Sequence, residues 1–168
     1  MKLTDIRFGN GRRAAACVAL ALVGSLGLWG VGNAVIVNMT ATINGSQEVP
    51  PSGSPGTGSA AITVDTDTNT LNFNITFSGL VAPETAAHFH GPAAPGVNAG
   101  VIFPLPLGSP KVGVWNMTDQ QEGWVLGGLT YINIHSTSFP GGEIRGQVVE
   151  APNATDVTSW GKIKGLYQ

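Results

Sequence analysis

The sequence predicts an all-β domain, a single antiparallel β-sandwich of immunoglobulin-like, Greek-key type with a short C-terminal amphipathic helix. Three observations predict it. Apolar residues alternate with period two in segment after segment, the spacing of a strand with one buried face. Gly- and Pro-rich loops divide these segments at fairly regular intervals, as in a sandwich or a flattened barrel. Charged residues are only 11% of the 168-residue chain, too few for the charged faces of a helical domain, while Gly, Thr, Asn and Val are abundant.

The chain opens on a segment of another kind. "MKLTDIRFGNGRR" is a positive stretch, "AAACVALALVGSLGLWGV" an apolar one, and "GNA" ends on a small residue at Ala34. That order is a secretory signal peptide over residues 1–34, and the glycines in the apolar run argue against a permanent span. Cys17 lies at the start of the apolar stretch, where a lipidated cysteine would follow it, and it is the only cysteine. The domain at 35–150 is then free of disulfides and relies on packing, with or without a metal. Removing Lys2, Arg7, Arg12, Arg13 and Asp5 with the leader leaves four basic and nine acidic residues, a net charge of −5. Such a chain has no electrostatic reason to bind nucleic acid.

Strands are expected at 35–43, 58–65, 70–78, 85–90, 100–107, 112–117, 129–135 and 142–150. In "TLNFNITFS", Leu71, Phe73, Ile75 and Phe77 share one face and Asn72, Asn74 and Thr76 the other. "DTDTN" before it is a tight turn of residues that bond their own backbone. Five N-x-S/T triplets, at Asn38, Asn44, Asn74, Asn116 and Asn153, read as chance products of a Thr- and Asn-rich strand surface. The tail, 151–168, places Trp160, Ile163 and Tyr167 at helical spacing after a Thr158 or Ser159 cap. It either docks on its own domain or is presented to a partner.

All three histidines fall in two stretches, "TAAHFHGPAAPGVNAGVIF" and "LTYINIHSTSFPGGEIRGQV". Alternation on a strand puts His88 and His90 on one side, close enough for two imidazoles to converge on one ion. His135 shares its face with Asn133 and Tyr131, and meets the pair if the two strands are neighbours. Three imidazoles without thiolate suit zinc or copper, with Glu48 or Glu143 as a further ligand or as an acceptor that fixes a ring tautomer. A buried hydrogen-bond network holding the loops, or an exposed binding rim, accounts for the same residues. In "GGEIRGQV", Glu143, Arg145 and Gln147 share a face that reads as a solvent face, with a pairing of Arg145 to Glu48 as the alternative. No acid–base carboxylate dyad, phosphate loop or Ser-His-Asp arrangement is discernible, which argues against catalysis by protein groups alone.

Taken in order, "ATINGSQEVPP", "GTGSAAITVD", "LNFNITFSGL", "AAHFHGPAAPGVNAGVI" and "LTYINIHSTSFPGGEIRGQV" resemble the CHRD domain, first described in chordin and widespread in secreted bacterial proteins. The resemblance covers about residues 36–149. It implies an extracellular β-sandwich and places Glu48, His88, His90, His135, Glu143 and Arg145 in its shared blocks. It implies little about activity, since chordin is a growth-factor-binding protein and the bacterial members are mostly uncharacterised. An H-x-H pair on a sandwich is also similar to copper–zinc superoxide dismutases, but the further ligands of that family are missing here.

The expectation is therefore a secreted, periplasmic or extracellular, non-enzymatic binding or structural module, whose His/Glu/Arg cluster organises its loops with or without copper or zinc. The alternatives are a small three-histidine metalloenzyme and an adhesion or assembly subunit that uses the tail. The expected partner is a protein or a surface, with no membrane span once the leader is cleaved.

Overall fold

The computed structural model describes residues 35–152. The expected signal peptide and the expected C-terminal helix lie outside the described residues. The elements are β1 (Ile36–Asn44), β2 (Thr57–Asp65), β3 (Thr70–Ser78), β4 (Glu84–His90), β5 (Val101–Pro104), β6 (Lys111–Asn116), α1 (Asp119–Leu126), β7 (Tyr131–Ser136), β8 (Ile144–Gln147) and β9 (Val149–Glu150). Each expected strand forms within a few residues of its expected limits. The segment 142–150 divides in two at Val148, whose N–H turns to the Thr130 carbonyl at 2.9 Å.

All pairings are antiparallel, and one path, β5-β4-β7-β8-β1-β2-β3-β6, runs through the sheet, with β9 beside β1. The antiparallel all-β expectation holds, and one sheet curls into a nearly closed barrel; the sandwich and Greek-key particulars of the expectation are not confirmed. The physical reason lies at β1. It pairs along its whole length with β2 on one side and with β8 and β9 on the other, so the strands form one sheet. Gly146 permits this approach, because a Cβ there would lie 2.6 Å from the Thr42 carbonyl and 2.7 Å from Ile43 Cγ1.

The end strands β5 and β6 meet across a seam closed by side chains. Phe103 stacks on Trp115 at 5.1 Å between centroids, and Phe89 stacks on the same indole at 5.4 Å. Lys111, fully buried, pairs with Glu84 and donates to the Pro106 carbonyl at 2.7 Å. A buried cation satisfied in this way is tolerated, and losing either partner would strand the other. Inside the barrel the alternating positions supply the core: Ile43, Val64, Leu71, Ile75, Phe89, Ile132, Ile134 and Ile144 are all fully buried.

The β2–β3 turn forms as its composition requires, with Asp65 Oδ1 accepting from the Asp67 and Thr68 amides. Helix α1 has no counterpart among the expected elements. Its start is a capping box, in which Gln121 N donates to Thr118 Oγ1 and Gln121 Oε1 accepts from Thr118 N. "TDQQ" carries that signal, but only Val125 of the helix is buried, so no apolar stripe marks it out.

The aromatic seam should dominate stability. Trp115→Ala should cost about 3–5 kcal/mol in urea unfolding, whereas Leu107→Ala, at an exposed position, should stay within about 0.5 kcal/mol. Equal losses for the two variants would show that the seam does not hold the barrel closed.

Candidate metal centre

Period-two alternation sends Ala87, Phe89, Ile132 and Ile134 into the core, and so directs His88, His90, Tyr131, Asn133 and His135 outward. β4 lies directly against β7, in the register His88↔Asn133, His90↔Tyr131 and Ala86↔His135. The three histidines therefore gather on one patch of the outer face. The patch is not open to water: His90 and His135 are buried and His88 is half-buried. The cover comes from the loops at residues 91–100 and 137–142.

One ring nitrogen from each histidine lies within 4.8 Å of the other two. His88 Nδ1 and His135 Nε2 are 3.3 Å apart. That equals the edge, about 3.3 Å, of a tetrahedron with ligands at about 2.0–2.1 Å from a central ion. Two ring nitrogens are committed to the backbone. His90 Nδ1 lies 2.9 Å from the Ala99 carbonyl and His135 Nδ1 lies 3.0 Å from the Pro140 carbonyl. A carbonyl only accepts, so both Nδ1 atoms carry the proton, and in the neutral form each ring presents its lone pair at Nε2. Burial holds the pKa of His90 below the ordinary imidazole value. It does the same for His88, aided by His135. Neutral imidazole is the form that binds a metal. His90 Nε2 is buried without a hydrogen-bond partner, an arrangement that costs about 1–3 kcal/mol unless something occupies that lone pair.

The surrounding polar groups fasten the loops. Tyr131 stacks on His90 at 4.9 Å and 8° and accepts from the Ala99 amide at 3.0 Å. Arg145 lies 3.5 Å from the Tyr131 ring centre. It donates to the Val97 carbonyl at 2.9 Å and to Asn98 Oδ1 at 3.1 Å. Asn98 in turn donates to the Val49 carbonyl at 2.9 Å. The solvent-face expectation for "GGEIRGQV" is thus overturned, since Glu143, Arg145 and Gln147 are all buried. Loops lie over this side of the sheet, and strand pattern alone does not reveal a cover on a polar face.

Glu48 and Glu143 both stand outside the trio of nearby ring nitrogens. Glu143 Oε1 accepts from Ser54 Oγ at 2.6 Å and the Val81 amide at 2.7 Å. Burial pushes its pKa up, but hydrogen bonding from Ser136, Ser54 and the Val81 amide outweighs it and the net shift is downward. Glu48 accepts from Asn133 Nδ2 at 3.4 Å, and the Arg145 pairing expected as an alternative is not an ion pair. Burial raises the Glu48 pKa from 4.5 to about 7, against the opposing pull of the Arg145 charge. Gly142, at φ 135°, passes beside this carboxyl: a Cβ there would lie 2.5 Å from the Asn133 amide and 2.7 Å from Glu48 Oε1.

Fold and site together define a β-barrel domain with a loop-covered histidine cluster on its outer face. The CHRD domain family matches residues 39–148, so the chain belongs to that family, and the three histidines with Glu48, Glu143 and Arg145 fall inside the match. No curated protein and no solved structure matches the chain. Expectation from sequence did not reach Ala99, Asn98 and Pro140, which act through backbone atoms or from loops and carry no chemical signature of their own.

Two outcomes follow from this geometry. Glu48 has a folded pKa above its unfolded value, so its contribution to stability is full below about pH 4.5 and is lost as pH rises through about 7. Glu48→Gln should therefore match the wild type near pH 4 and exceed it near pH 8 by on the order of 2–3 kcal/mol in urea unfolding. A pH-independent difference would mean that Glu48 is ionised throughout. Gly142→Ala should destabilise by about 2–3 kcal/mol through the strained φ and the displaced Glu48–Asn133 pair, as read by the thermal midpoint. A neutral result would mean that the loop shifts freely.

Proposed function

We propose that the protein is a secreted, non-enzymatic CHRD module in which His88, His90 and His135 hold one copper or zinc ion. The observation that carries this reading is the buried, neutral and unpartnered Nε2 of His90, beside two further imidazole nitrogens. The donor set is nitrogen alone, since the one cysteine is Cys17 and Met39 and Met117 are in the apolar core. Three imidazoles of this kind favour Zn²⁺ or Cu²⁺ over hard cations. The ion would cross-link β4 to β7. Through the Ala99 and Pro140 carbonyls it would also lock both covering loops, whose outer surface is then the face offered to a protein or surface partner.

One observation favours a metalloenzyme as the second reading. His88 alone of the three is half-exposed, and no fourth His, Cys, Asp or Glu joins the group among the described residues. A fourth coordination position would therefore face solvent, the arrangement that lets an ion bind water or substrate.

Elemental analysis of the protein, purified without chelator or nickel resin, tests the reading beside His90→Ala and the His88→Ala/His90→Ala pair. The expected result is about one copper or zinc per wild-type chain, less than a tenth of that in the double variant. Adding the ion to stripped protein should raise the thermal midpoint of the wild type alone. No metal in the wild type after incubation with both ions would leave the histidines as a hydrogen-bond network. Metal-dependent turnover abolished in His88→Ala would move the protein to the second reading.

A further inference from the structure

Two loop segments rich in proline and glycine, "EVPPS" at 48–52 and "SFPGG" at 138–142, line a hollow of about 330 Å³. That is the size of a small-ligand site. Val49, Pro50, Pro51, Phe139 and Pro140 make its wall apolar, and Glu48 is the one charged residue that lines it. The prolines stiffen both rims. A Cβ on Gly141 would meet nothing within 4 Å, so the space beside that residue is open.

Glu48 is an unusual residue for such a wall. It is only 6% exposed, its Oε1 has no donor, and it joins no ion pair among the described residues. Asn133 Oδ1 is likewise buried without a donor. A Cβ on Gly142 would lie 2.5 Å from that oxygen and 2.7 Å from Glu48 Oε1, so the two acceptors converge beside one residue of the 138–142 segment. Two buried acceptors side by side repel each other and call for a donor. Arg145 does not supply it, because its guanidinium is held by Val97, Asn98 and Gln147. The bond that Glu48 accepts from Asn133 Nδ2 is long, at 3.4 Å. Rotation of a glutamate carboxyl is soft, so its oxygens can turn to a donor in the hollow at little cost. A group that serves two acceptors and neutralises a carboxylate is an ammonium, with three N–H donors and a positive charge. An apolar wall suits a hydrocarbon stem behind that charge.

We propose that this hollow binds a primary alkylammonium group, of a free amine or of a lysine side chain, with its nitrogen on Glu48 beside Asn133 and its stem against Phe139 and the prolines. The site does not depend on an ion at the histidines, although Pro140 serves both places: it lines the hollow, and its carbonyl accepts from His135.

The test is a titration of isotope-labelled protein with n-butylamine and, separately, with acetyl-lysine methylamide whose side-chain amine is free. It is run near pH 8, above the value of about 7 to which burial raises Glu48, and followed through backbone amide shifts. The Val49, Gly141 and Gly142 amides should shift and saturate, with a Kd on the order of 1–10 mM for at least one probe. Saturation by the lysine derivative assigns the site to a protein lysine, and saturation by butylamine alone assigns it to a free amine. Uncharged n-butanol should bind at least about tenfold more weakly, as should the amine to Glu48→Gln, which keeps the shape of the side chain. Gly141→Trp, which has room for its Cβ, should abolish binding by filling the hollow. The His88→Ala/His90→Ala pair should bind the probe as the wild type does, which separates this site from amine ligation of a metal. No saturable shift with either probe at about 100 mM would overturn the proposal. So would equal binding by Glu48→Gln, or binding that disappears with the two histidines.

Discussion

The pairing of β4 with β7 is the constraint on which the rest depends. Those two strands carry all three histidines, and they alternate strictly between a core that accepts only apolar side chains and an outer face that receives everything else. Once Phe89, Ile132 and Ile134 are buried inside, His88, His90 and His135 have no choice of side. A shift of one residue in that register would turn the imidazoles into the barrel and the isoleucines out of it. The apolar core thus positions the polar cluster without touching it.

The outer face then raises a problem that most sheet surfaces avoid. Here it is covered by loops, so Arg145, Tyr131, Gln147, Glu48 and Asn133 lose contact with water. Buried polar groups need partners, and loops are rich in free backbone amides and carbonyls. Arg145 takes the Val97 carbonyl, Tyr131 the Ala99 amide, Gln147 the Ala93 and Gly128 carbonyls, and His135 the Pro140 carbonyl. Cover and cluster hold each other in place. The atoms left over are informative for the same reason: His90 Nε2, Glu48 Oε1 and Asn133 Oδ1 are buried and unpartnered. The first belongs to a ring whose centre lies 5.5 Å from that of His88 and 6.1 Å from that of His135. The second belongs to the carboxyl whose burial raises its pKa to about 7, and the third to the amide that donates to it.

The barrel closes by two unlike means. At β1 the backbone closes it, through the lack of a side chain at Gly146. At the β5–β6 seam side chains close it, through Phe103, Trp115 and the Lys111–Glu84 pair. Stacked aromatics cover a sheet edge that would otherwise offer unpaired backbone to another chain.

Much of this was determined by the sequence alone. The all-β class, the positions of the strands, the β2–β3 turn and the gathering of His88 with His90 follow from local alternation and turn chemistry, which act over a few residues and are legible in one dimension. The resemblance of the QEVPP, HFHGP and GEIRGQ blocks to CHRD domains was also legible, because it rests on residue identity. Only the tertiary structure decided that the strands curl into one barrel, since that depends on β1 pairing on both sides. It alone placed His135 beside the other two, buried Arg145 under a loop, and sent Glu143 to Ser54 and Val81 in place of the histidines. Each of these is a contact between residues tens of positions apart, and solvent exposure on a polar strand face is set by what lies over it, which no local pattern records.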